Sequence, residues 1–283
     1  MSGREKPGTL YVGRLAPSPT GLLHLGHART FWTAYERAQA AAGRLWLRDE
    51  DLDMQRSKPE FSQAIKEDLN WLGIAWEGEV RQSERLGLYR DAMLRLIGTG
   101  LAYPCSCSRK ELAAMMAAPH EDTDDEPVYT GKCRPADEGE RASMAVLESV
   151  NYRFRVPDGE VVHFVDGHAG PQAFVAGCDA GADFGDFLVW RKDGLPSYQL
   201  ACIVDDAQMG ITEVVRGCDL LKSTARQVLL QRALGLATPA YFHCDLMRDE
   251  QGVRLAKRHD ALSLRVLRKQ GWSPEQVRER FGA

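Results

Sequence analysis

The first fifty residues constrain the fold more than any other part of the chain. Leu10 to Leu15 reads as a short buried strand, and Pro17-Ser18-Pro19-Thr20-Gly21 follows as a turn. From about Leu23 the apolar positions Leu25, Ala28, Phe31, Trp32 and Tyr35 recur at helical spacing as far as Gly43, which suits a C-cap. A second strand, Arg44 to Arg48, starts at once, and the acidic string Asp49-Glu50-Asp51-Leu52-Asp53 leaves it. Strand, helix and strand in this rhythm form the βαβ unit of an open parallel sheet, whose ligands gather at the carboxyl ends of its strands. The expected fold class is therefore α/β.

Helical patterns continue through Pro59 to Leu72 and Arg85 to Ile97, before Gly98 and Gly100 punctuate the chain and an insertion begins. The insertion carries an acidic run, Glu121 to Glu126, that suits a flexible surface loop, and then short strands around Tyr152 to Pro157 and Val161 to Asp166. The α/β pattern returns at Asp186 to Asp206. These breaks divide the chain into a split nucleotide-binding domain (residues 1–98 and 186–240), an inserted α+β subdomain (99–185) and a basic loop with a helical C-terminal segment (241–283). No internal repeat is visible.

Composition removes several classes of function. At 283 residues and 44% hydrophobic content the chain can build a substantial core. A net charge of -4 argues against indiscriminate coating of nucleic acid, so any such contact must be local. The stretch from Arg254 to Ala283 is the candidate, with Arg254, Lys257, Arg258, Arg265, Arg268, Lys269, Arg278 and Arg280 against Asp260, Glu275 and Glu279, although a solvated helical face is the simpler reading of it. Seven unevenly spaced cysteines do not form the disulfide framework of a small secreted domain. Met1 to Leu10 has no signal-like apolar core, and no apolar run approaches the roughly 18 residues of a membrane helix, so the expected compartment is the cytoplasm.

Two segments carry chemistry. His24-Leu25-Gly26-His27 opens the first helix, where backbone N–H groups favour an anion and Gly26 lets a ring or phosphate approach the backbone. Arg254-Leu255-Ala256-Lys257-Arg258 follows Asp249-Glu250-Gln251-Gly252, so a turn presents three cations in five residues. Each has an ordinary explanation alone: partly buried histidines or a chance metal pair, and a solvated basic loop. Together, in this order and each after a strand, they resemble the HIGH and KMSKS signatures of class I aminoacyl-tRNA synthetases. The second differs from its pattern at Arg254 and Ala256 but keeps a cation at each charged position.

The resemblance narrows with Arg14 to Gly21, similar to the RFAPSPTG of the glutamyl-tRNA synthetases, with Arg48 to Ser57, similar to their RIEDTDRERS, and with Pro196 to Gln227. It spans Tyr11 to about Leu264 and implies a class I synthetase nucleotide-binding fold. Free glutamate brings two carboxylates and one ammonium. Arg14 and Arg216 would answer the carboxylates, in an order left open, Glu50 the ammonium, and the hydroxyls of Ser18 and Tyr198 would supply orientation. The reaction implied is attack of the glutamate α-carboxylate on the α-phosphorus of ATP. His24, Gly26, His27 and Lys257 would then bind ATP, Lys257 and Arg258 would face the leaving pyrophosphate, and Mg2+ would bridge phosphate oxygens.

The chain ends about 25 residues after Arg258, where full glutamyl-tRNA synthetases continue into an anticodon-binding domain. Val215-Arg216-Gly217-Cys218-Asp219-Leu220-Leu221 is closer to the VRGADLL of a shortened paralogue group that attaches glutamate to the queuosine base of tRNA(Asp). Queuosine-bearing tRNA(Asp) is the partner this implies, for an enzyme acting as a monomer. A catalytic piece of an ordinary glutamyl-tRNA synthetase, esterifying a tRNA 3′ end, and a non-catalytic tRNA-binding paralogue are the competing readings. In the insertion, Cys105, Cys107 and Cys133 have spacing that suits a zinc knuckle. Tyr129 is the fourth ligand by resemblance and His120 the chemically more usual one. Cys178, Cys202, Cys218 and Cys244 read as small core residues.

Overall fold

The structure is a computed structural model that describes residues 10–107, 128–136, 147, 149–247 and 263–281. Contacts divide the chain into two compact units, residues 1–84, 210–219 and 239–283 in one and residues 85–209 and 220–238 in the other.

The first unit opens with β1 (Val12–Leu15), α1 (Leu25–Ala40), β2 (Arg44–Asp49), α2 (Pro59–Trp71) and β3 (Gly78–Arg81). β1 pairs with β2 and β2 with β3, both parallel, as the βαβ rhythm requires. Further along the chain, β9 (Glu213–Gly217) and β10 (Ala240–Cys244) form a second parallel pair. β9 lies beside β1: the Thr212 N–H donates to the Val12 carbonyl at 2.8 Å, and the Val12 N–H to the Thr212 hydroxyl at 2.9 Å. The contacts climb both strands together, from Val12 with Thr212 to Arg14 with Val215, so β1 and β9 point the same way.

One core joins these elements. Leu25, Ala28, Phe31, Ala34 and Ala38 form the buried stripe of α1, facing Leu45 and Leu47 of β2 and Ile65 and Leu69 of α2. The C-terminal helices α6 (Leu264–Lys269) and α7 (Pro274–Glu279) add Leu264, Leu267, Val277 and, just beyond, Phe281. Helices of six residues have no stability of their own. Four buried apolar side chains at roughly 1.5–3 kcal/mol each suffice to hold them.

The end of α1 differs from the expectation. The helix stops at Ala40, and Ala42 takes the left-handed backbone (φ 46°) expected of a capping glycine. Gly43 is required for a different reason. A Cβ there would lie 2.5 Å from the Tyr11 carbonyl oxygen, because the chain re-enters the sheet directly against β1.

The second unit holds α3 (Leu86–Gly98), β4 (Ala102–Cys105), β5 (Asn151–Phe154), β6 (Val161–Asp166), β7 (Gly170–Val175), β8 (Phe187–Trp190), α4 (Tyr198–Gln208) and α5 (Leu221–Leu234). β4, β5 and β8 make an antiparallel sheet, β6 and β7 an antiparallel hairpin, and the three helices pack on one another. The contact division thus places α3, α4 and α5, which the sequence division kept with the nucleotide-binding domain, whole in the second unit. Asp205 of α4 ties this layer together, accepting from Tyr89 at 2.8 Å and pairing with Arg85 at 2.7 Å. No helix among the described residues is long and apolar enough to cross a membrane.

Candidate active site and thiol cluster

Three buried charges collect at the carboxyl ends of β1, β2 and β9. Arg14 lies in β1, 4% exposed, and its Nη1 donates to the Val215 carbonyl at 2.9 Å. Glu50 leaves the end of β2, and its Oε1 accepts from Nε and Nη2 of Arg48 at 3.2 and 3.0 Å. Arg48 is wholly buried. Arg216, near the end of β9, is 5% exposed and donates from Nε to Nε2 of His243 at 3.2 Å. Ser18 is exposed in the turn after β1. That turn is clamped to the loop after β2, because the Pro17 and Pro19 carbonyls accept from Glu50 N and Lys58 N, each at 3.0 Å. The geometry therefore brings Arg14, Ser18, Glu50 and Arg216 to one end of one unit. Tyr198 is the first residue of α4, in the other unit, and is exposed.

The neighbouring acid Asp49 is engaged by Ser62 at 2.8 Å and Arg81 at 3.5 Å. Burial raises the Asp49 carboxyl above its ordinary value. Guanidinium groups bind carboxylates through paired hydrogen bonds, so Arg14 and Arg216 are of the type that suits a ligand carrying carboxylates.

His24 and His27 sit at the start of α1, the helix that follows β1. The His24 Nδ1 accepts from Gly26 N at 3.1 Å, and the His27 Nδ1 accepts from His24 N at 3.4 Å, so the two rings cap the helix. The rings stack with centroids 3.7 Å apart. A nitrogen that accepts an N–H carries no proton, so in each neutral ring the proton is on Nε2. Two N–H donors and the N-terminal end of α1's dipole then lie in one place.

Lys257 and Arg258, with Arg254 and Ala256, lie outside the described residues, but the residues on either side are fixed. His24 and Ser263 form an antiparallel bridge, Leu264 N donates to Leu23 O at 2.8 Å, and Arg29 of α1 donates to the Asp245 carbonyl at 3.3 Å. Both ends of the intervening segment are thus anchored to α1 or to the residues that lead into it.

In the second unit the sulfurs of Cys105, Cys107 and Cys133 all lie within 4.8 Å of one another. Cys107 and Cys133 are 3.5 Å apart, and the Tyr129 hydroxyl is 3.7 and 3.6 Å from the sulfurs of Cys105 and Cys107. A tetrahedral zinc with bonds of about 2.3 Å to sulfur has ligand–ligand edges of roughly 3.8 Å. Three thiols and one phenol therefore fit the ion. Burial pushes the Cys107 thiol up to about 11. At Cys133 burial acts the same way, but hydrogen bonds to Tyr129 and to the Ser106 backbone outweigh it and bring the thiol down to about 7. The Arg153 guanidinium stacks 4.0 Å above the Tyr129 ring. The Tyr129 backbone presses so closely on Gly185 that a Cβ there would lie 2.6 Å from the Tyr129 carbonyl oxygen. His120 lies outside the described residues.

Sequence reasoning missed Arg48, His243 and Arg153 as partners of these groups. The sequence signal was weak: His243 is the one polar side chain of an otherwise apolar strand, while Arg48 and Arg153 share their strands with other polar residues. It also took all four remaining cysteines as core. Cys202 and Cys244 are buried, but Cys178 and Cys218 are only half-buried.

Comparison with known proteins gives a consistent result. The family model for the catalytic domain of class I tRNA synthetases (E and Q) matches residues 11–282. A glutamyl-Q tRNA(Asp) synthetase of Symbiobacterium thermophilum is 49% identical over 95% of this chain and 84% of its own length. One from Rhodobacter capsulatus is 41% identical over 96% of this chain and 99% of its own length. The crystal structure of a glutamate tRNA ligase from Elizabethkingia meningosepticum, in complex with its amino acid, superposes with a TM-score of 0.73 at 29% identity. It covers 89% of this chain, which spans about half (53%) of that longer protein.

Proposed function

Because the chain belongs to the class I tRNA synthetases of the E and Q branch, a family of ligases, we propose that it activates glutamate with ATP and transfers it to the queuosine base of tRNA(Asp). The observation that carries the first half is the set of buried charges, Arg14, Glu50 and Arg216, at the carboxyl ends of parallel strands beside the helix that His24 and His27 cap. Arg14 and Arg216 take the two carboxylates and Glu50, held by Arg48, takes the ammonium. The assignment of Tyr198 as an orienting hydroxyl rests on the family resemblance alone.

In the reaction an oxygen of the glutamate α-carboxylate attacks the α-phosphorus of ATP, the bond to pyrophosphate breaks, and glutamyl-adenylate forms. No protein nucleophile takes part. The Nε2–H groups of His24 and His27 are donors suited to phosphate oxygens as negative charge builds on them. Lys257 and Arg258 take the leaving pyrophosphate in this scheme, and Mg2+ accompanies ATP to neutralise its phosphates. A hydroxyl of the queuosine ring then attacks the activated carbonyl and AMP departs. Cys105, Cys107, Tyr129 and Cys133 would hold a structural Zn2+, apart from the chemistry. The names of the relatives matched over most of their length support the queuosine acceptor.

The test is exchange of labelled pyrophosphate into ATP, with glutamate and no tRNA. Exchange that aspartate and glutamine fail to support is the expected result. No exchange with any amino acid would overturn the proposal.

A further inference from the structure

We propose that His243 is a positioning residue that holds the Arg216 guanidinium in place for a substrate carboxylate while leaving its charge intact. The inference deepens the glutamate-binding reading and rests on it.

The two residues are register partners on the parallel strands β9 and β10, so their side chains leave the sheet on the same face. His243 is wholly buried, and its Nε2 accepts from Nε of Arg216 at 3.2 Å. An accepting Nε2 has no proton, so the imidazole carries its proton on Nδ1 and is neutral. Tyr241, two residues earlier on the same face, places its ring 5.5 Å from the guanidinium and stacks with His243 at 6.1 Å. Arg216 is therefore gripped by an uncharged acceptor and bordered by an aromatic ring.

The same strand shows the alternative. Glu213, at the other end of β9, holds Arg37 through two hydrogen bonds of 2.7 and 2.6 Å, a bidentate ion pair that spends the arginine's charge on a structural partner. A carboxylate at position 243 would grip Arg216 more tightly but would compete with the carboxylate of the substrate. A neutral imidazole fixes the direction of the guanidinium without that competition. This accounts for a histidine in an otherwise apolar strand end.

The experiment measures the KM for glutamate, the KM for ATP and kcat in pyrophosphate exchange, with thermal unfolding, for His243→Gln, His243→Phe, His243→Glu and Arg216→Ala. His243→Gln keeps an acceptor at similar reach and should stay within about threefold of wild type. His243→Phe keeps a ring without an acceptor and should raise the glutamate KM roughly 10- to 100-fold, the scale of a lost hydrogen bond to a charged group. His243→Glu should raise it at least as far, despite restoring an acceptor, because it neutralises Arg216. In each case the ATP KM should be unchanged. If His243→Phe does not fold, the contrast between Gln and Glu decides. A Glu variant with wild-type glutamate KM, or a folded Phe variant with wild-type KM, would overturn the positioning role. Arg216→Ala separates the two levels: an unchanged glutamate KM there would remove the binding site itself.

Discussion

Asp68 lies in the last turns of α2, 1% exposed, and its Oδ2 has no hydrogen-bond partner. Desolvation by burial pushes its carboxyl from 3.8 up to about 6, against the pull of Arg265 and Arg268 on α6. Unfolded, the group returns to its ordinary value. At 1.36 kcal/mol per tenfold change in ionisation constant, the gap makes ionised Asp68 a burden of about 3 kcal/mol on the folded state. The sign follows from linkage. Above the folded pKa the carboxylate is ionised in both states and the full burden applies; as pH falls the folded state takes up the proton first, so the burden shrinks, and it is gone below the unfolded pKa. Asp68→Asn keeps the shape and removes the titration. The stability of the variant minus that of wild type, from urea unfolding followed by circular dichroism, should therefore be larger at pH ~7 than at pH ~4 by about 2.4 kcal/mol. Subtraction cancels the other titrating groups. A difference that stays constant across this range would refute the reasoning.

Purified, metal-replete protein should contain about one zinc per chain, and Cys105→Ser combined with Cys133→Ser should remove it, lowering the melting temperature more than pyrophosphate exchange. Elemental analysis showing no zinc in wild type would refute the site. Loss of zinc in Tyr129→Phe would identify the phenol as the fourth ligand, and retention would move that role to His120 or water. Lys257→Ala should slow glutamate-dependent exchange by roughly 10²- to 10³-fold, the scale of one preorganised charge at a transition state. Full activity in that variant would remove the basic loop from the mechanism.

Local patterns exposed the scaffold and the reactive types before any coordinates. The alternation of β1, α1 and β2 is written in apolar spacing, and the Cys105, Cys107 and Cys133 set in its positions along the chain. Pairings between distant segments left no such trace. Arg216 with His243 depends on the register of β9 and β10, and Arg37 with Glu213 on how α1 packs against β9. The short strands β3, β4 and β7 were also missed, since four to six residues with prolines and glycines lack a periodic signal. At Gly43 the residue type pointed to a helix cap, whereas the constraint comes from Tyr11, thirty-two positions earlier in the chain and adjacent only in the fold.

The most direct test of the function is transfer of labelled glutamate to purified tRNAs. tRNA(Asp) bearing queuosine should accept glutamate even when its 3′ end is blocked, while unmodified tRNA(Asp) transcript should accept none. Efficient charging of tRNA(Glu) at its 3′ end, with no label on queuosine-bearing tRNA(Asp), would contradict the account and assign the chain to the ordinary glutamate–tRNA ligases.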